Sequence, residues 1–204
     1  MFCVFGVVMK KLLITGFDPF GNQEINPSWE SVKNLPEEIG EYRIEKLMIP
    51  TVFGKAYQKV IEKAEQINPS AIICVGLAGG RKSITVETVA INLKEANISD
   101  NEGNTPVNEN ILTEGENAYF STLPIRDIVK KIRESGIDAN LSFSAGAFVC
   151  NETLYLLLDK YKNTDVKVGF IHLPFLPEQA QNGQPSMPMA DMVKALKVAI
   201  ETIQ

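Results

Sequence analysis

The stretch AIICVG at residues 71–76 is apolar throughout, and it limits the folds open to this 204-residue chain. A strand without a polar face is typical of a sheet that helices cover on both sides. Other strand-like segments lie at residues 11–16, 43–50, 84–93, 139–144 and 166–174. Segments with helical periodicity alternate with them, at residues 28–35, 54–66, 125–135, 151–161 and 188–203. This alternation predicts an α/β fold.

The length fits one sizeable domain, and neither a shift in composition nor a repeat divides the chain. The first eight residues are apolar and precede the first lysines, whereas a secretory signal places its positive charge first. A second methionine, Met9, stands directly before the first strand-like segment. We therefore predict an N-terminal extension at 1–8, from a mis-assigned start, and a single catalytic domain at 9–204 of a cytoplasmic protein.

Charge and cysteine usage exclude several classes of protein. The net charge of −5 leaves no basic excess for nucleic acid or an anionic membrane, and no apolar stretch approaches the ~20 residues of a membrane-spanning helix. The cysteines Cys3, Cys74 and Cys150 are odd in number and widely spaced, which favours neither disulfides nor zinc. With a single histidine, a mixed zinc site is difficult to assemble. We predict no metal and no cofactor.

Two ligand-binding motifs are only partly matched. GLAGGRKS at residues 76–83 resembles a phosphate loop, but Arg81 stands where the second glycine is required, and a β-branched segment follows instead of a helix. In DNEGNTPVNENI, Thr105 and Ile111 occupy the positions where a calcium loop needs glycine and glutamate. We interpret the first segment as a tight turn and the second as a solvated loop.

Cys150 and His172 are the principal candidates for chemistry. Cys150 stands between a predicted strand and the first turn of a predicted helix, where the positive end of the helix dipole lowers the pKa of a thiol. An inert buried thiol is an equally good interpretation from position alone, and for Cys74 it is the better one. His172 ends a predicted strand, and a β-α-β unit of parallel strands would bring it to the same sheet edge as Cys150.

A thiol–imidazole pair usually has a third group that orients the imidazole. Glu87 is the candidate, because a carboxylate within an apolar strand is costly unless it is paired. The alternating pattern of its strand also allows Glu87 to lie on a solvent face, and considered alone this is the better interpretation. Phe17 and Phe20, in a loop containing glycine and proline, either cap the core or line a pocket.

Taken together, several segments resemble the pyroglutamyl peptidase I (pyrrolidone-carboxylate peptidase) family of cysteine peptidases. They are GFDPFG, NPSW, ITVETVAINL, DNEGNTP, SAGAFVCN and GFIHLPFLPEQ. The resemblance implies a single three-layer α/β/α domain with a central, mostly parallel mixed sheet of the phosphorylase/hydrolase-like kind. It also implies removal of N-terminal pyroglutamyl residues from peptides without metal or cofactor, and a homotetramer.

The resemblance assigns roles to particular residues. It implies that Cys150 is the nucleophile, His172 the base and Glu87 the orienting acid. The residues that would hold the pyroglutamyl ring are Phe17, Phe20, Asn26, Thr51, Ile98, Phe148 and Val149.

The chain departs from the family pattern near this site. Where the family commonly has DARI, this chain has EANI, so Asn97 replaces an arginine, and Leu77 stands where many relatives have glutamine. The loss of a fixed charge at Asn97 leaves weakened activity or an altered substrate preference open. Two alternatives to an active peptidase follow: a relative that binds pyroglutamyl ends without cleaving them, and a thiol amidohydrolase that acts on another small lactam or amide.

Overall fold

The structure, a computed structural model, describes residues 9–21 and 23–203. The predicted extension at 1–8, with Cys3, lies outside the described residues. The strands are β1 (Lys10–Phe17), β2 (Glu38–Ile39), β3 (Tyr42–Ile49), β4 (Ala71–Leu77), β5 (Ile84–Glu87), β6 (Val89–Ile91), β7 (Ala118–Phe120), β8 (Ala139–Ser142) and β9 (Lys167–Leu173). The helices are α1 (Pro27–Lys33), α2 (Lys55–Ile67), α3 (Ile125–Glu134), α4 (Val149–Tyr161) and α5 (Met189–Glu201). None of these helices is long and apolar enough to cross a bilayer.

Seven strands form one mixed sheet in the order β2-β3-β1-β4-β9-β5-β8. The four pairs β1–β3, β1–β4, β4–β9 and β5–β8 are parallel. The pairs β2–β3 and β5–β9 are antiparallel. The prediction of a mixed, mostly parallel sheet is therefore confirmed.

Helices cover both faces of this sheet, as the apolar strand β4 indicates. One buried cluster joins a face of the sheet to α1, α3 and α5, through side chains such as Val32, Ile128 and Leu196. A second cluster joins the opposite face to α2 and α4, through side chains such as Val60 and Leu157. Each such side chain contributes ~1.5–3 kcal/mol when it is fully buried. The three-layer α/β/α architecture is confirmed.

The predicted strand at residues 84–93 is two strands. Thr88 interrupts the regular pairing, so that β5 lies in the main sheet while β6 pairs with β7 in a separate two-stranded sheet. The expectation that β5 has a polar, solvated side is wrong, because all four of its residues are buried. Its polar side chains have partners within the protein, since Arg81 donates to the Thr85 hydroxyl and Glu87 binds Arg81 and His172.

The predicted β-α-β unit around α4 is also wrong. The strand β5 lies between β8 and β9, parallel to the first and antiparallel to the second, so β8 and β9 run in opposite directions. The loop at 143–148 carries the chain from the end of β8 to the first residue of α4. The position of Cys150 is set by this loop and not by a parallel crossover.

Candidate active site

The sulfur of Cys150 lies over a glycine of the central sheet. A Cβ atom added to Gly76 would stand 3.1 Å from the Cys150 Sγ, so the absence of a side chain in β4 makes room for the thiol. Gly76 is paired with His172 in the parallel β4–β9 ladder. Cys150 and His172 also line the same cavity, so the thiol and the imidazole face a common space.

His172 is held by Glu87 on the next strand. The two residues lie on the same face of the sheet, since Thr85 is the antiparallel partner of His172 and Glu87 is two residues further on. The His172 Nδ1 is 2.7 Å from the Glu87 Oε1, and both side chains are buried. With Nδ1 bound to the carboxylate, Nε2 is the ring nitrogen available to the thiol.

The ring of Phe170 supports this arrangement from within β9. Its centroid is 4.6 Å from that of His172, and its edge also approaches Gly76. Phe17 packs in turn against Phe170, with the centroids of these two rings 6.2 Å apart. The imidazole therefore has little freedom to turn away from the thiol.

Cys150 is the second residue of α4, as the sequence predicts, but its thiol is not acidified in the resting protein. Burial, and then the negative charge of Glu87, raise the pKa of the Cys150 thiol. The prediction that the helix N-terminus lowers this pKa is wrong, because desolvation of the thiolate outweighs the helix dipole. Cys150 is therefore a thiol that must lose its proton to a neighbouring base.

Glu87 is ionised despite being fully buried. Burial acts to raise its pKa, but the hydrogen bond and charge of His172, with hydrogen bonds from Ser142 and Arg81, hold the pKa below its usual range. The alternative that Glu87 lies on a solvent face is excluded, since its side chain is 0% exposed. A carboxylate in this state orients the ring and stabilises an imidazolium.

A cavity of about 210 Å³ opens beside the thiol and the imidazole. Five of the predicted substrate-binding residues line it: Phe17, Phe20, Asn26, Thr51 and Phe148. The ring of Phe148 lies 5.9 Å from that of Phe20 and meets Phe53 edge-on at 5.1 Å. Aromatic rings braced in this way form a flat, apolar slot next to the reactive groups.

Asp18, which the sequence analysis does not single out, organises the polar end of this cavity. Its Oδ1 accepts hydrogen bonds from the Thr51 N–H at 2.7 Å and from the Thr51 hydroxyl at 2.8 Å. Its backbone carbonyl accepts a third from the Asn26 side chain. Because the Thr51 hydroxyl gives its only proton to Asp18, it faces a ligand as a hydrogen-bond acceptor.

Three predicted positions lie outside the cavity. Val149 is fully buried in the core as the first residue of α4. Ile98 is 55% exposed and lines a neighbouring apolar cavity, which shares Phe20 and Leu77 with the first. Asn97 is exposed and lines neither cavity.

The polar segment that begins at Asp100 is a loop with residues 101–105 and 107–110 exposed, in agreement with its interpretation as a solvated loop, but Asp100 anchors it to the protein. The Asp100 carboxylate is buried and accepts backbone N–H groups from Phe53, Glu102 and Asn104. Through Phe53 this loop braces the aromatic slot. Over the residues that the structure describes, no cluster of histidine, cysteine or acidic side chains has the arrangement of a metal site.

Comparisons with known proteins identify the family of this chain. The sequence profile of the pyroglutamyl peptidase family matches residues 10–204. The chain belongs to the pyroglutamyl peptidase family. Its members are cysteine-type hydrolases, so this chain has the scaffold and class of a cysteine peptidase.

Individual pyroglutamyl peptidases are similar over nearly the whole chain. A pyrrolidone-carboxylate peptidase of Bacillus mycoides is 52% identical over 198 residues, which are 95% of this chain and 92% of the relative. The crystal structure of pyroglutamyl peptidase I from Bacillus amyloliquefaciens superposes with a TM-score of 0.93 at 47% identity, covering 96% of this chain and 95% of the other. The pyrrolidone carboxyl peptidase from Thermococcus litoralis gives 0.92 at 36% identity, covering 96% and 93%.

Proposed function

We propose that this chain removes N-terminal pyroglutamyl residues from peptides, with Cys150 as nucleophile, His172 as general base and Glu87 as orienting acid. The observation that carries the proposal is the position of the Cys150 sulfur over Gly76, beside an imidazole whose Nδ1 is bound to Glu87. The single catalytic domain would span residues 9–204, in accord with the family match from residue 10 onwards.

The raised pKa of Cys150 determines how the first step proceeds. The His172 Nε2 takes the thiol proton as the sulfur attacks the pyroglutamyl carbonyl, so the thiolate exists only when its charge is used. The resulting imidazolium is stabilised by the Glu87 carboxylate at 2.7 Å. Backbone N–H groups in the first turn of α4 have no partner within the helix, and they suit the oxyanion of the tetrahedral intermediate.

Collapse of this intermediate breaks the C–N bond and leaves a thioester on Cys150. His172 gives its proton to the leaving amine, which departs as the shortened peptide. The same imidazole then takes a proton from water, the hydroxide attacks the thioester carbonyl, and pyroglutamate leaves as the thiol is restored. Every proton taken in acylation is returned, so the cycle needs no cofactor.

The cavity favours a small uncharged lactam. The rings of Phe17, Phe20 and Phe148 suit a flat five-membered ring, and Thr51 meets the cavity as a hydrogen-bond acceptor for the lactam N–H. A substrate that leaves such a buried group unpaired costs ~1–3 kcal/mol. We expect Thr51→Val to lower kcat/KM for pyroglutamyl amides roughly tenfold. The thermal stability of the same variant is the control that its fold is unchanged.

A chromogenic pyroglutamyl amide tests the proposal, with prolyl and glutaminyl amides as matched substrates. We expect thiol-dependent release of chromophore from the pyroglutamyl amide only. Binding of the amide without release would support a non-cleaving relative and reject the peptidase. Equal release from the other amides would favour a less selective thiol amidohydrolase.

We further propose that the protein is a cytoplasmic homotetramer. The two thiols in the described part of the chain, Cys74 and Cys150, are unpaired, which suits a reducing compartment. Large apolar side chains at Phe120, Phe143 and Val107 are each at least 67% exposed, and contacts between copies would cover them. Light scattering on the purified protein should give four times the chain mass of 22.5 kDa, and a monomer mass would reject the assembly.

A further inference from the structure

Arg81 lines the catalytic cavity, yet the mechanism above gives it no part. Among the described residues that line this cavity, it is the one lysine or arginine. Its Nη1 lies 2.9 Å from the Glu87 Oε1, the same oxygen that binds His172. The guanidinium also donates to the Thr85 hydroxyl and to the Ser144 carbonyl, in the loop that leads to Cys150.

The charges of the site show what Arg81 can do. The fully buried Glu87 carboxylate lies 2.9 Å from the Arg81 guanidinium, whose fixed positive charge offsets the buried negative charge. When Cys150 passes its proton to His172, the site holds a carboxylate, a thiolate and an imidazolium. Arg81 supplies the fourth charge, which makes the sum zero in the reactive state.

We propose that Arg81 is a positioning residue that acts through Glu87 and balances the negative charge of the Cys150 thiolate. The proposal rests on the proposed function, because it assumes the proton transfer from Cys150 to His172. Arg81 does not contact Cys150 in the structure, and we assign it no bond to the substrate. Its role is to make separation of charge within the buried site less costly.

The groups that face Cys150 act in opposite directions. Glu87 from β5 and Cys74 from β4 raise the pKa of the Cys150 thiol, and Arg81 from the loop before β5 lowers it. His172 from β9 is the acceptor of the proton. Since Arg81 is 33% exposed on its side chain, water screens its charge, and we expect an effect smaller than that of a fully buried cation.

A purely structural role for Arg81 makes a different prediction. The contact with Ser144 holds the loop before α4, so loss of Arg81 could lower activity by displacing Cys150. Such a displacement would reduce the rate at every pH. Loss of a balancing cation would instead favour the protonated thiol and move the pH dependence to higher pH.

The experiment measures alkylation of Cys150 by iodoacetamide as a function of pH, with peptide mass mapping to separate it from Cys74. We expect Arg81→Gln to shift the profile to higher pH and to slow alkylation at pH 7 roughly three- to tenfold. The kcat/KM profile for a pyroglutamyl amide should shift in the same direction. Lys82→Gln is the matched control, because it removes an equal charge from a neighbouring exposed residue, and its profile should equal that of the wild type.

Arg81→Lys keeps the charge without the planar fork, and we expect its alkylation profile to stay near that of the wild type. If Arg81→Gln slows the alkylation of Cys150 equally at every pH, without moving the profile along the pH axis, the inference is overturned in favour of a structural role. If Arg81→Gln does not fold, Arg81→Lys is the test. A shift of its alkylation profile to higher pH, as large as that expected for Arg81→Gln, would also overturn the inference. Failure of the proposed function is distinct, since the wild-type protein would then release no chromophore from the pyroglutamyl amide, whereas alkylation of Cys150 is measured without substrate.

Discussion

Two thiols on the same side of the sheet differ in what surrounds them. Cys74 in β4 is completely buried, and burial raises the pKa of its thiol to about 12. Burial also raises the pKa of Cys150, so neither thiol is acidic in the resting protein. Cys150 alone borders the cavity and lies beside His172.

A low thiol pKa and nucleophilic reactivity are separate properties, although both are often attributed to the dipole of a helix. A thiol becomes nucleophilic either because its pKa is low before substrate arrives or because a base removes the proton during attack. In this chain the buried Glu87 opposes the first route at Cys150 and, by stabilising an imidazolium, promotes the second. Access and a neighbouring base, rather than a lowered pKa, distinguish Cys150 from Cys74.

Replacement of the nucleophile should have the largest effect. We expect Cys150→Ser to lower kcat/KM for a pyroglutamyl amide by at least ~10⁴-fold, because a hydroxyl is a far weaker nucleophile than a thiol with the same base. Steady-state release of chromophore measures this, and circular dichroism checks the fold. Retained activity would refute the assignment of Cys150.

Removal of the orienting charge should have the next largest effect. Glu87→Gln keeps the volume but weakens the hold on His172, and we expect kcat/KM to fall by ~10²- to 10⁴-fold. Enzyme assays at saturating and limiting substrate would show whether the loss lies in kcat. A loss confined to KM would contradict an orienting role.

Glu87 also makes stability depend on pH. Its pKa in the folded protein lies below that of the unfolded chain, so its ionised form stabilises the fold at neutral pH. This contribution is lost as the pH falls below about 4.3, the ordinary value for glutamate, towards the lower folded pKa. Denaturant unfolding should show a steeper loss of stability with acid in the wild type than in Glu87→Gln, and identical slopes would contradict the ion pair.

Alkylation compares the two thiols directly. We expect iodoacetamide to modify Cys150 on the order of a hundred times faster than Cys74, because one borders the cavity and the other is enclosed. Peptide mass mapping of partially modified protein measures the ratio. Modification of Cys74 first would reverse our ranking of the two thiols.

The smallest effect should follow from changing the enclosed thiol. Cys74→Ala removes one buried sulfur from a packed core, so we expect a loss of about 1 kcal/mol in the free energy of unfolding. We expect kcat/KM to remain within about twofold, since Cys74 is not part of the mechanism. A large loss of activity without a loss of stability would give Cys74 a part that we have not assigned.

Much of the fold is predictable from the sequence, because the spacing of apolar residues marks most of the helices and strands. All five helices are predicted within two residues of their observed ends, as are strands such as β4 and β9. The strands β2 and β7 were missed because two or three residues carry no detectable period. The direction of β9 against β5 depends on contacts distant in sequence, and no local pattern encodes it.

The site is predictable to a different degree. The motifs around Cys150, His172 and Glu87 locate the principal groups, but their partners are determined by folding. Asp18 was missed because it acts through Thr51, which is 33 residues away in sequence. Arg81 interrupts the phosphate-loop pattern in the sequence, and its position six residues before a buried glutamate is a signal for an ion pair.

Trapping of the acyl-enzyme tests the central claim most directly. Protein mixed with an activated pyroglutamyl ester, quenched in acid and digested, should carry one pyroglutamyl group as a thioester on the peptide that contains Cys150. Cys150→Ala should carry none under the same conditions. A pyroglutamyl group found on the Cys74 peptide, or hydrolysis by Cys150→Ala at the wild-type rate, would contradict the account.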